Sequence, residues 1–281
     1  MKVAVTGADG MLGTDLCRIF GEEHEVIPLT VHDVDLTDRP SVRERIVDLN
    51  PDVLVNCAAY TLVDQAEDEP DVAYRVNGFG AQNLALACAE SGAALCHVST
   101  DYVFDGKKAM YDTFDHAGPL GVYGKSKLAG EMFIHWAMSR FYVVRTSWLY
   151  GRHGNNFIEK ILARAEQSNE LKVVHDQKGA PTWTESLAVA LRQLVTTEAY
   201  GIYHYTDDAG GGISWYEFAA EILHQAGLER QMKPVATWEF PVRAARPAVS
   251  TLDCSLIGML GIDRRPWKEC LARYMAIRKD R

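Results

Sequence analysis

Tyr123 and Lys127 stand four residues apart in the stretch Tyr123-Gly124-Lys125-Ser126-Lys127-Leu128-Ala129-Gly130-Glu131. On a helix that spacing places both side chains on one face, one turn apart. A phenol has an unperturbed pKa of about 10, and a neighbouring ammonium favours its phenolate. The pair is therefore suited to handing a proton to an oxygen that is gaining negative charge. The same pair also occurs on solvated helix faces, so it needs company. Two other stretches supply it. Gly7, Gly10 and Gly13 form a G-x-x-G-x-x-G turn around Asp9, Met11 and Leu12. Missing Cβ atoms let backbone approach a pyrophosphate, and a following helix N-terminus offers N–H groups and partial positive charge. Ser99 and Thr100 end another apolar run. A hydroxyl there is placed to hydrogen-bond a substrate carbonyl, although Ser and Thr also cap turns.

The elements that must position these groups alternate. Lys2 to Thr6 reads as a strand, and the glycine turn leads into a helix pattern of Leu12, Leu16, Ile19 and Phe20. This is the strand, turn and helix context that a dinucleotide fingerprint requires. Glu25 to Thr30 reads as a second strand. Its end, Leu29-Thr30-Val31-His32, carries neither the acid that binds ribose hydroxyls nor an Arg. The missing acid removes a repulsion against a 2′-phosphate, and His32 is near enough in sequence to contact one, so NADPH and NADH both stay open. In Asp35-Leu36-Thr37-Asp38 an acid faces adenine, or Asp38 caps the helix through Leu49. Pro51 to Asn56 is a strand ending in small residues, Cys57, Ala58 and Ala59, that let a flat cofactor lie close. A helix over Asp71 to Ser91, a strand over Ala94 to Val98, a helix from Tyr123 to about Ala137 and a strand over Phe141 to Thr146 follow. That rhythm implies an α/β fold with a Rossmann-like, doubly wound parallel sheet. Its strand ends would bring the glycine turn, Thr100 and Tyr123 to one edge.

After Gly151 the alternation becomes irregular. Helices are expected over Asn156–Ser168 and Trp183–Val195, with strands over Leu171–His175 and Gly201–Tyr205. Ser214-Trp215-Tyr216-Glu217 is a capping box, and Gly227 ends the helix it starts. Pro266 opens the last helix. The expected organisation is an NAD(P)-binding domain over 1–150, with returns to its sheet from about 171–205, and a smaller C-terminal substrate-binding lobe over most of 151–281. Arg243 and Arg246 are available for a nucleotide diphosphate, since Arg forks suit phosphate oxygens; a solvated basic loop is the alternative.

The chain has 281 residues, 47% of them hydrophobic and 24% charged, an ordinary composition for a soluble globular protein. Its net charge of −9 argues against a broad nucleic-acid-binding face. No apolar run approaches the roughly 20 residues of a membrane helix, and the N-terminus lacks a signal-peptide core. The six cysteines show no C-x-x-C pair and read as buried thiols in a reducing compartment. A cytoplasmic location is expected.

These motifs together resemble the dTDP-4-dehydrorhamnose reductases, a group of extended short-chain dehydrogenase/reductases. The similarity runs along essentially the full length, through GADGMLG, NCAAYT at 56–61, STDYVFDG at 99–106, YGKSKLAGE at 123–131, RTSWLYG at 145–151, VVHDQKGAPT at 173–182 and RPAVSTLD at 246–253. The Y-x-x-x-K pair identifies only the superfamily; the other segments are far more specific. The resemblance implies hydride transfer from NADPH or NADH to C4 of a 4-keto-6-deoxy nucleotide sugar. It assigns Tyr123 as the acid, Lys127 as the residue that lowers its pKa and holds the nicotinamide ribose, and Thr100 as the third catalytic member. Asp101 and Tyr102 match substrate-side positions, Trp148 an aromatic wall, and Arg246 completes the expected substrate set. Against the cofactor it places Gly7, Asp9, Gly10, Met11, Leu12 and Gly13, then Thr30, Asp35 and Leu36, then Cys57, Ala58, Ala59 and Tyr60, and finally Ser99.

Val249 stands where the family commonly has Asn, so an amide contact is lost. Family members described with Mg²⁺ at a dimer contact use carboxylates; Asp15 and Glu185 fall at two matching positions, with no secure third. A homodimer is thus an open expectation. Two alternative readings stand beside the reductase. One is a non-catalytic cofactor-binding subunit like the regulatory β subunit of methionine adenosyltransferase, which the intact Thr100, Tyr123 and Lys127 disfavour. The other is an epimerase or reductase of a different nucleotide sugar.

Overall fold

The computed structural model describes residues 1–240 and 242–278. Short apolar runs form the strands and amphipathic segments cross between them. β1 (Lys2–Thr6) leads through the glycine turn to α1 (Met11–Phe20), then β2 (Glu25–Leu29), α2 (Arg39–Leu49) and β3 (Val53–Asn56). Asp38 caps α2, its carboxylate accepting from Ser41 N. α3 (Pro70–Ala73) and α4 (Ala81–Ser91) flank a π-helical stretch, Tyr74–Gly80. The single helix expected over Asp71–Ser91 is thus corrected. The wider turn sets Asn77 inward, where its side chain accepts from Tyr60 N and donates to Tyr60 O and Ser126 Oγ. That one amide ties the loop after β3 to the later helix that carries Ser126.

β4 (Ala94–Thr100), α5 (Val122–Ala137) and β5 (Phe141–Thr146) follow, then β6 (Leu149–Tyr150), α6 (Phe157–Gln167), β7 (Glu170–Val174), β8 (Lys178–Gly179), β9 (Thr182–Trp183) and α7 (Thr184–Leu194). β10 (Gly201–His204), β11 (Ile213–Ser214), α8 (Trp215–Ala226), β12 (Gln231–Val235), α9 (Ser255–Gly258) and α10 (Trp267–Ile277) complete the chain. The main sheet has six strands in the order β10-β5-β4-β3-β1-β2, all paired in parallel. All seven residues of β4 are buried, as a strand covered on both faces requires.

Two apolar layers cover the sheet. On one face Leu16, Ile19 and Phe20 of α1 pack with Leu187, Leu191 and Leu194 of α7 against Val3, Val5 and Val55. On the other, Val42 and Ile46 of α2, Leu84 and Cys88 of α4 and Ile134 of α5 pack against Ala4, Leu54 and Leu95. β10 lies beside β5 in this sheet. β7, expected among the returning segments, pairs with β12 outside it. Its alternating burial, exposed at Glu170 and Lys172 and buried at Leu171 and Val173, fits a strand with one solvated face. A third core, with Ile158, Ile161, Phe218, Ile222, Trp267 and Leu271, unites α6, α8 and α10 into the smaller lobe. No helix among the described residues is long and apolar enough to cross a membrane.

Candidate active site

The sheet reverses direction of winding between β1 and β3, the point where open α/β sheets take ligands at their strand ends. A cleft of roughly 690 Å³ opens there. The glycine turn forms its floor. Gly7 has a φ of 70°, and a Cβ on it would lie 2.7 Å from Ala58 N. Gly10 is the extended N-cap of α1 and brings no side chain to that helix end. The first N–H groups of α1 are therefore left facing the cleft, which Asp9, Met11, Leu12 and Gly13 also line. This is a cradle shaped for a diphosphate.

At the end of β2, Thr30, Asp35 and Leu36 line the cleft, joined by Val31 rather than His32. An acid follows at Asp33, yet its carboxylate accepts from both Thr30 N and Thr30 Oγ1 at 2.8 Å. Those two bonds hold the Asp33 carboxyl below the usual range. Asp35 likewise accepts from Thr37 N and Oγ1. Cys57, Ala58 and Ala59 form the expected wall. Tyr60 does not: its hydroxyl donates to Glu69 at 2.9 Å and its N–H to Asn77, which turns it out of the cleft, and Thr61 takes its place.

Ser99, Thr100, Tyr123 and Lys127 converge on the same cleft. Tyr123 sits in the first turn of α5 and Lys127 one turn later. Burial pushes the phenol up to about 12, opposed by a hydrogen bond with the Thr100 hydroxyl. Burial also lowers Lys127 from 10.5 to about 8. Removal from water dominates both groups. Lys127 Nζ donates to Val98 O at 2.7 Å and lies 3.2 Å from His97 Nε2.

Of the substrate-side residues, Thr100 donates to Asp101 Oδ1 at 3.0 Å, and burial raises Asp101 to about 7. Trp148 lines the cleft in a left-handed backbone conformation, φ 48°, with its ring stacked on Trp215 at a centroid distance of 3.5 Å. Gly179 makes room for that ring; a Cβ there would meet it at 2.7 Å. Tyr102 stands edge-on to Tyr123, centroids 5.8 Å apart, behind the cleft wall. Arg246 also falls outside the lining. Its fork is taken by Asp64, at 3.1 and 2.8 Å, and Arg243 pairs with Asp68. Carboxylates of the chain hold both cations in this structure.

Asp15 and Glu185, matched to metal-binding positions, share Arg18, and Thr184 donates to Asp15 at 2.5 Å. One cation of the chain thus bridges the two carboxylates where α1 meets α7. Among the described residues no group of three His, Cys, Asp or Glu is arranged to hold a metal. Sequence reasoning missed Thr146, the last residue of β5, and Ser147 and Asn155 beyond it, which also line the cleft. It also missed His97 and Asn56, whose signal was a polar side chain inside an apolar strand.

Residues 1–279 match the family model described as the RmlD substrate binding domain. The chain is 44% identical to the spore coat polysaccharide biosynthesis protein SpsK of Bacillus subtilis, over 98% of this chain and 96% of that one. A dTDP-4-dehydrorhamnose reductase structure from Clostridium acetobutylicum superposes with a TM-score of 0.96 at 40% identity, covering 99% of this chain and 100% of the other. One from Bacillus anthracis, solved in complex with NADP, gives 0.94 at 39% identity over 98% of each chain. The chain belongs to the dTDP-4-dehydrorhamnose reductase family.

Proposed function

We propose that this protein reduces the C4 keto group of a dTDP-4-dehydro-6-deoxy sugar, dTDP-4-dehydro-L-rhamnose, to the C4 alcohol at the expense of NAD(P)H. The observation that carries the reading is one cleft shared by the glycine cradle and the Thr100, Tyr123 and Lys127 side chains. The glycine turn, the free N-terminus of α1 and the small wall of Cys57, Ala58 and Ala59 fit a dinucleotide, which supplies the hydride when bound. Thr100 orients the carbonyl, and its hydroxyl is already coupled to Tyr123. Tyr123 donates its proton to the C4 oxygen as that oxygen becomes an alkoxide. Lys127, held by Val98 O, stabilises the resulting phenolate. Trp148 walls the sugar, and the lobe built on α6, α8 and α10 selects it. Asp33 is turned back onto Thr30, and both NADPH and NADH are carried as hydride donors.

The test is a cofactor-oxidation assay with dTDP-4-dehydro-L-rhamnose, run with NADPH and NADH in parallel and with product stereochemistry checked. Formation of dTDP-L-rhamnose is expected. Cofactor binding without oxidation would overturn the reading.

A further inference from the structure

Behind Lys127 runs a line of polar side chains that the proposed reduction does not use. Thr6, Asn56, His97 and Lys127 are each no more than 2% exposed. Thr6 Oγ1 donates to Asn56 Oδ1 at 2.7 Å, and the Ala58 N–H donates to the same oxygen at 3.1 Å. A backbone N–H can only donate, so it fixes which end of the Asn56 amide is oxygen. The amide nitrogen therefore points at His97 Nδ1, 2.8 Å away. It too can only donate, so Nδ1 is the bare, accepting nitrogen. A neutral imidazole then carries its proton on Nε2, and Nε2 faces Lys127 Nζ at 3.2 Å. Burial and the Lys127 charge keep the His97 ring neutral. A donor faces a donor when Lys127 is an ammonium. When Lys127 is an amine, its lone pair accepts the Nε2 proton and every bond in the line is satisfied.

We propose that Asn56 and His97 are positioning residues for the reduction: they lock the imidazole in its Nε2–H tautomer and so stabilise the amine form of Lys127, making Lys127 a group that releases its proton in each turnover. The proposal rests on the reductase reading of the same cleft. The protons balance. The Tyr123 O–H bond breaks as the C4 oxygen gains its hydrogen. The phenolate takes a proton from the Lys127 ammonium, leaving the amine that His97 Nε2–H then supports. Water restores the ammonium, so one solvent proton is consumed with each hydride. The other groups facing Lys127 do not change this. Glu131, on its own helix, favours the charge but is held by Arg145 and Ser99. The Cys57 thiol is pushed up to about 12 by burial and stays neutral. Tyr123 is neutral until it has given up its proton.

Nitrogen-detected NMR of the ligand-free wild-type protein reads the tautomer directly, independently of any reductase assay. His97 is expected to show a protonated Nε2 and a bare Nδ1 from about pH 6 to pH 8. A protonated Nδ1, or an imidazolium, overturns the proposal. Asn56→Asp gives the second readout. Its near-isosteric carboxylate keeps the Ala58 and Thr6 bonds but accepts from Nδ1–H, which turns Nε2 into an acceptor. His97 should switch tautomer, and the Lys127 ionisation, followed through its ε-carbon, should move up by about one pH unit or more. An unchanged tautomer and ionisation in a folded Asn56→Asp protein overturns the proposal. If that variant does not fold, the wild-type tautomer decides. Absence of reductase activity with the expected tautomer present would sink the function and leave the proton geometry standing.

Discussion

A Cβ on Gly13 would fall 2.0 Å from the carbonyl oxygen of Gly7, so the first turn of α1 and the end of β1 touch backbone to backbone. Gly7 itself is left-handed at φ 70° and abuts Ala58. No side chain fits at either position without moving main chain. Gly13→Ala should therefore destabilise the fold by on the order of 1–3 kcal/mol, and Gly7→Ala should do so through strain at its backbone angle. Both should weaken dinucleotide binding tenfold or more, on the order of 1.4 kcal/mol. Thermal unfolding and a fluorescence titration with NADPH check this. A Gly13→Ala protein that binds NADPH as tightly as wild type would show that the turn does not hold the pyrophosphate.

Tyr123→Phe removes the proton donor and leaves the ring that fills the space beside Tyr102. Turnover should fall by roughly 10²–10⁴, while NADPH affinity stays within a few-fold of wild type. Steady-state kinetics and the same titration separate the two effects. Wild-type turnover in this variant would remove Tyr123 from the mechanism.

The parallel sheet and its cleft were legible because local patterns and topology agree. Apolar runs such as Lys2–Thr6 and Ala94–Val98, short and alternating with helical segments, read as strands covered on both faces, and right-handed crossovers then put their C-terminal ends on one edge. Gly7, Thr100 and Tyr123 follow from that edge. What stayed hidden depended on long-range pairing. Arg246 looked available for a diphosphate, but Asp64, far away in sequence, takes its fork. Asp15 and Glu185 matched two metal positions without a third, and only the packing of α7 on α1 shows that Arg18 bridges them. Tyr60 sat in a matching motif, yet the π-helical turn presenting Asn77 rotated its backbone away from the cleft. The Tyr-Lys pair was legible as a pair. Its ionisation was not, because burial, which outweighs charge here, has no sequence signature.

Asp207 gives a stability prediction with a defined sign. It is fully buried, accepts from Trp183 N at 2.8 Å, and burial raises its carboxyl from 3.8 to about 7. Between those values the unfolded chain has lost the proton and the folded chain keeps it. The folded state then binds more protons, so this group makes stability fall as pH rises from about 4 to about 7. Asp207→Asn removes the titration. The variant should lose less thermal stability than wild type between about pH 5 and pH 8. Melting curves at the two pH values decide it; equal losses in both proteins would show that Asp207 does not stay protonated when folded.

Arg145 and Glu131 form an ion pair with side chains only 5% and 3% exposed, joining β5 to α5 within reach of Lys127. Each end has further support. Ser99 donates to Glu131, and the guanidinium lies 5.1 Å from the centroid of the Phe104 ring. Removing one partner leaves the other charge buried and unpaired, whereas replacing both by apolar groups avoids that penalty. Glu131→Gln should cost about 3–5 kcal/mol of folding stability. Arg145→Met combined with Glu131→Leu should cost clearly less than the sum of the single changes, since the two sites share one interaction. Urea unfolding of the two single variants and the double variant forms the cycle. The double variant should also hold Lys127 less firmly in its charged form, because Glu131 is the carboxylate that favours that charge. A double variant whose stability equals the sum of the single losses would mean that the two side chains act independently and that the pair does not fasten α5 to the sheet.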